Sequence, residues 1–160
     1  MSVGDVLLWG FAATIVLTTL MSAGHAAGVS RMSIPFMLGT MFTADRDRAP
    51  AVGFLAHLMM GWLFAVLYAL VFESLGRSSW WLGGAIGLVH GLAVLVAVMP
   101  ILPGLHPRMA GEHQGPDPTR ALEPPGFMAL HYGRSTPLLA LMAHLVYGMI
   151  LGAFYTPTVG

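Results

Sequence analysis

Three histidines, His57, His90 and His144, lie deep inside long apolar stretches of this 160-residue chain. An ionisable side chain is costly to place among hydrocarbon neighbours, and inside a membrane-spanning segment it marks a functional site by default. His57 and His144 are also matched. Ala56, His57, Gly61, Ala65 and Tyr68 recur as Ala143, His144, Gly148, Gly152 and Tyr155, all 87 residues on, and Pro50 and Pro137 keep the same offset. Each of these histidines follows a proline by seven residues. A proline is suited to the first turn of a helix, and seven residues carry the chain about 10 Å along the axis. The two rings are therefore expected at one depth. His90 sits in the middle of the segment between them and has no counterpart in the first half, where Ala13 takes its place.

Several chemistries suit such a set. Paired imidazoles from facing helices can hold a haem b iron axially, or share copper or zinc, with His90 as a third donor. Arg48 and Arg134 stand just outside the two helix starts, where they could pair with haem propionates. Met59, Met60 and Met142 flank the histidines and offer thioether sulfur, a ligand that selects Cu(I). Imidazoles titrate near neutral pH, so a proton or ion path is a second use. It would have to run without a carboxylate, because no Asp, Glu, Arg or Lys lies deep in a span. The third use is structural, each neutral ring bonding a carbonyl, Thr or Tyr of a neighbouring helix. The sequence leaves these three open.

A looser cluster lies outside the apolar stretches. His25, His106, Arg108, Glu112, His113 and His131 fall in or beside the long connections. Gathered at one mouth, they would suit a membrane enzyme, the lowest-ranked class. Pro107 keeps His106 and His113 off one continuous helix face. The chain shows no HExxH, P-loop, Rossmann glycine pattern or GxSxG elbow, so the reading leans away from catalysis.

The elements that must position these residues follow from composition. The chain is 56% hydrophobic and 9% charged, where a soluble domain carries about a quarter charged residues. It has no cysteine, so disulfides, thiolate ligands and thiol catalysis are excluded, and its net charge is zero without a single lysine, which removes a nucleic-acid footprint. Four stretches, about 6–23, 51–72, 80–102 and 136–155, reach the roughly 20 apolar residues that cross a core of about 30 Å. Backbone polar groups must be satisfied internally there, which makes them helices. The first lacks a basic n-region, Asp5 being its only preceding charge, and reads as a retained helix rather than a signal peptide.

The expected architecture is thus an all-α integral membrane domain over the whole chain. Its four spans form two helical-hairpin repeats of parallel topology, about 1–78 and 79–160. Gly10 leads to Arg31-Met32 as Gly87 leads to Arg108-Met109, and Phe36-Met37 has a looser echo in Phe127-Met128. Small residues recur every four positions on each helix: Gly10, Thr14, Thr18; Gly53, His57, Gly61; Gly83, Gly87, Gly91; Ala140, His144, Gly148. Such stripes let helices approach closely. The apolar run 32–42 is too short to span and reads as interfacial or re-entrant; the proline-rich 102–135 reads as irregular, with one short turn at 127–132.

Six of the seven arginines lie in the two long connections and only Arg77 lies opposite. Both connections are therefore expected in the cytoplasm of a bacterium, with both termini outside the inner membrane. The function expected is a non-catalytic component: an accessory subunit of a larger membrane complex, or a homo-oligomer, contacting lipid and other membrane subunits. A compact transporter or channel running past the same histidines is the alternative.

Overall fold

The computed structural model describes residues 1–111 and 115–158. Its helices are α1 (Val3–Ala26), α2 (Ile34–Phe42), α3 (Ala49–Leu75), α4 (Trp80–Ala93), α5 (Met99–Leu105) and α6 (Thr136–Phe154). A π-helical turn, Val94–Val98, joins α4 to α5, so the third long helix runs unbroken over Trp80–Leu105. Four helices are long and apolar enough to cross a membrane: Val3–Ala26, Ala49–Leu75, Trp80–Leu105 and Thr136–Phe154. They coincide with the four expected stretches, three of them running two or three residues further at their ends.

Local sequence explains the boundaries. Ser2 and Ser79 accept backbone N–H groups at the starts of α1 and α4, while α2, α3 and α6 open with proline in the first turn. Gly76, at φ 61°, closes α3 in the left-handed conformation that glycine adopts without strain. The π turn has an equally local cause. Pro100 has no N–H and its ring crowds the carbonyl four residues back; here the Met99 N–H reaches back to Val94 O, five residues away, which widens the helix just ahead of the proline.

In lateral order the long helices run α3, α1, α6, α4, with α2 lying along the start of α3. Small residues set each contact. Gly10 lies against Ala65, Gly61 against Thr14, and Thr18 against His57 where α1 meets α3. Gly83 lies against Gly148 and Gly152, Gly87 against Gly148 and the His144 backbone, and Gly91 against the His144 ring where α4 meets α6. A β-carbon on Gly83 would stand 2.0 Å from the Gly148 carbonyl oxygen, and one on Gly53 would stand 1.8 Å from that of Pro35. Only glycine permits such approach. Two hydrogen bonds reinforce the packing: Trp62 Nε1 donates to Leu7 O at 2.9 Å, and Tyr147 donates across the bundle to Gly61 O at 2.6 Å. Large apolar side chains point outward on every long helix, Leu8, Leu63, Val89 and Leu138 each being more than half exposed, as lipid-facing surfaces require.

The end carrying the long connections is tied together by polar contacts. Ser30 Oγ and Thr136 Oγ1 lie 2.8 Å apart, Arg31 makes a two-pronged ion pair with Glu123, and Met109 and Leu122 form a short parallel bridge. Met32 and Met109, the matched methionines after Arg31 and Arg108, are both buried. The 127–132 segment is a distorted 3-10 turn in which Met128 and Ala129 adopt left-handed φ angles of 53° and 58°.

Candidate functional site

His57, His90 and His144 come from three different helices and line one cavity of about 150 Å³. α3 and the third long helix meet there through side chains. Phe64 stacks on the His90 ring at 3.9 Å, and Tyr68 Oη lies 3.3 Å from His90 Nδ1. His90 and His144 stand edge to face with centroids 4.8 Å apart. Gly91 leaves the space that the His144 ring fills. His90, without a repeat partner in the sequence, is thus drawn into the same group. What brings it there is the glycine stripe Gly83, Gly87, Gly91, which sets the rotation of α4 against α6.

The hydrogen-bond network assigns the tautomers. His144 Nδ1 lies 2.8 Å from Ala140 O, a carbonyl that can only accept, so Nδ1 carries the proton. Thr18 donates its hydroxyl proton to Thr14 O at 2.7 Å, and His57 Nδ1 lies 2.9 Å from the same Thr18 oxygen. With its proton committed, Thr18 accepts from His57 Nδ1. In their neutral form both rings therefore leave Nε2 as a bare lone pair. All three rings meet the protein through Nδ1, and none of the Nε2 atoms has a protein partner among the described residues.

Five methionines, Met21, Met32, Met37, Met60 and Met99, line the same cavity. Of those singled out in the sequence, only Met60 is among them, and it too is 41% exposed; Met59 and Met142 are exposed and do not line the cavity. Met21 and Met99 carried no sequence signal beyond being apolar, and Met37 only its place in the repeat echo. Among the described residues, no Asp, Glu, Arg, Lys or Cys lines the cavity. Among the described residues no group of three or more His, Cys, Asp or Glu side chains converges as a metal site of those ligands would.

Size decides against a large prosthetic group. A volume of about 150 Å³ holds a few waters at roughly 30 Å³ each, and cofactor pockets usually span about 300–1,000 Å³. A haem does not fit the cavity in this shape, whereas a metal ion or a small molecule does. Arg48 pairs with Asp45 at 3.1 Å and is exposed, as is Arg134; neither lines the cavity.

The loop histidines are each occupied locally. His25 Nδ1 bonds Ser30 O, and His131 Nδ1 bonds Pro124 O. His106 is 1% exposed, bonds Met37 O through Nε2 at 2.9 Å, and accepts the Arg108 N–H at Nδ1. Burial, with the nearby Arg108 charge, outweighs the Met37 bond and pushes its pKa below the usual histidine value. Arg108 itself donates to Thr40 O at 2.6 Å. These residues fasten α2 to the chain that follows α5; they do not form a shared cluster. Glu112 and His113 lie outside the described residues.

Comparison with known proteins gives no match to a family model, a curated protein or a solved structure.

Proposed function

We propose that this chain is a small, non-catalytic component of the bacterial inner membrane whose interior cavity binds a ligand through its histidines. The observation that carries the reading is that three imidazoles from three helices line one cavity, each with no Nε2 partner among the described residues. A purely structural role would spend the polar atoms of the rings on neighbouring helices; half of each ring is held back.

The architecture proposed around it is two hairpin repeats. In support, α1 meets α3 through the pairs 10–65, 14–61 and 18–57, and α4 meets α6 through 83–152, 87–148 and 91–144. The second helices keep the offset of 87, while the first helices correspond at 73, one helical turn from the 77 of Gly10 and Gly87. The six-to-one arginine distribution supports cytoplasmic long connections and non-cytoplasmic termini. Four thin helices with outward apolar faces suit assembly into a homo-oligomer or with other membrane subunits.

The test is purification in mild detergent followed by elemental analysis, an absorption spectrum and native mass spectrometry. One stoichiometric species, lost in both His57→Ala and His144→Ala, is the expected result. A protein with no bound species, indifferent to both substitutions, would leave the histidines a structural role only. A second reading, transport, draws on one observation: Met32 and Met37 line both the cavity and an open cleft of about 510 Å³ at the loop end. Two thioether side chains thus border both spaces. Flux into vesicles abolished by His57→Ala would favour that reading.

A further inference from the structure

We infer that the cavity is a site for a soft monovalent metal ion, Cu(I) being the biological example, held by imidazole Nε2 and methionine sulfur. The inference rests on the ligand-binding reading above and names the ligand class. It starts from the donor set: three imidazoles, five thioethers and, among the described residues, no carboxylate, thiolate or charged side chain in the lining. Thioether sulfur and imidazole nitrogen are the ligands that select Cu(I), whereas carboxylates, carbonyls and water suit Mg²⁺ and Ca²⁺.

Charge narrows the choice further. Moving an ion from water into an apolar interior costs free energy in proportion to the square of its charge, so a divalent ion costs about four times as much as a monovalent one. A site without an anionic ligand offers nothing to offset that difference. Zn²⁺ and Cu²⁺ are therefore disfavoured, although imidazole alone would suit both. Na⁺ and K⁺ are monovalent but need a shell of oxygen atoms. The lining offers only two side-chain oxygens among the described residues, the Thr14 and Tyr147 hydroxyls, too few for such a shell. Cu(I) needs neither neutralisation nor many ligands.

The protein also presents the nitrogen donors correctly. A metal-binding imidazole normally has its second nitrogen fixed by a hydrogen bond, which sets tautomer and orientation. Ala140 O does this for His144 and Thr18 for His57. At the loop end, Met32 and Met37 are the sulfur donors bordering both the cavity and the open cleft, where an ion would enter.

The test uses the full-length protein in nanodiscs, stripped of metal and titrated anaerobically with Cu(I) against a chromophoric chelator. Ag(I) serves as a redox-inert second probe and Zn(II) as the comparison. One Cu(I) per chain is expected, with both nitrogen and sulfur in the X-ray absorption first shell and Zn(II) at least a hundredfold weaker. His144→Ala should weaken Cu(I) at least a hundredfold. The volume-conserving double variant Met32→Leu/Met37→Leu should weaken it at least tenfold and deplete the sulfur shell. Met59→Leu, on an exposed methionine, should change nothing. If a histidine variant does not fold, the leucine double variant and the Zn(II) comparison still decide. Zn(II) binding as tight as Cu(I), a nitrogen-only shell, or no Cu(I) binding would overturn the inference. Should native mass spectrometry show a different species lost with His57 and His144, the ligand reading would stand and the copper assignment would fall. Cu(I) binding unchanged in both histidine variants would sink both.

Discussion

Replacing Gly148 by alanine adds one methyl group at the point where α4 and α6 touch. That carbon would stand 2.0 Å from the Gly83 carbonyl oxygen, 2.8 Å from its carbon and 3.0 Å from Gly87 Cα, all backbone atoms. Restoring an ordinary 3.4 Å contact requires the two helices to part by about 1.4 Å along that line. A gap of 0.5–1 Å already forfeits a quarter to a half of each dispersion contact. Overpacking of this kind costs about 1–3 kcal/mol, and alanine returns about 1 kcal/mol of helix propensity over glycine. Since backbone cannot rotate aside, the upper part of the range applies, for a net loss of about 1–2 kcal/mol. The same displacement moves His144, one turn away, off Gly87 and Gly91, so ligand binding should weaken together with stability. The assay is unfolding in mixed micelles followed by circular dichroism, with Gly104→Ala as control because nothing lies within 4 Å of its added carbon. If Gly148→Ala unfolds at the same denaturant fraction as Gly104→Ala, the close α4–α6 contact is wrong.

Other expectations follow from single contacts. Tyr147→Phe removes the 2.6 Å bond to Gly61 O and should cost about 1 kcal/mol in the same unfolding assay, whereas Leu67→Met, on a half-exposed outer position, should be nearly silent. The exposed Arg31–Glu123 pair should show a coupling of about 1 kcal/mol or less in a double-mutant cycle, shrinking further in high salt. His106 is held below its unfolded value of 6.5, so the folded state resists its protonation. Its contribution is therefore complete above pH about 6.5 and declines as pH falls below that value. His106→Asn should flatten the acid side of the stability–pH profile, and an unchanged slope would contradict the assignment.

Hydropathy made the four long helices legible because an apolar run of that length has few other uses. The run 32–42 was equally legible as something too short to span, and α2 (Ile34–Phe42) is what it forms. The π turn was not read, though Pro100 and Pro103 signalled that the third helix could not be regular there. The site was legible in part. Its histidines stand out because they are polar in an apolar context, but their meeting depends on helix rotation, and rotation is set by which glycine faces which backbone. The methionines are harder still. Met is an ordinary filler of apolar space, so Met37 and Met99 in the cavity look in sequence like Met59 and Met142 on the outside. The loop histidines misled for the opposite reason: polar residues in connections resemble a cluster until His25, His106 and His131 are found bonded to separate backbone carbonyls, of Ser30, Met37 and Pro124.

The central claim is that His57 and His144 turn lone pairs, not protons, towards a shared interior space. Nitrogen-15 NMR of histidine-labelled protein in nanodiscs at neutral pH reads this directly, with His57→Gln and His144→Gln assigning the resonances. Both rings should be neutral, protonated at Nδ1 and bare at Nε2, and both Nε2 resonances should move when the ligand binds. Rings protonated at Nε2, or Nε2 resonances that stay fixed with the ligand bound, would contradict the account.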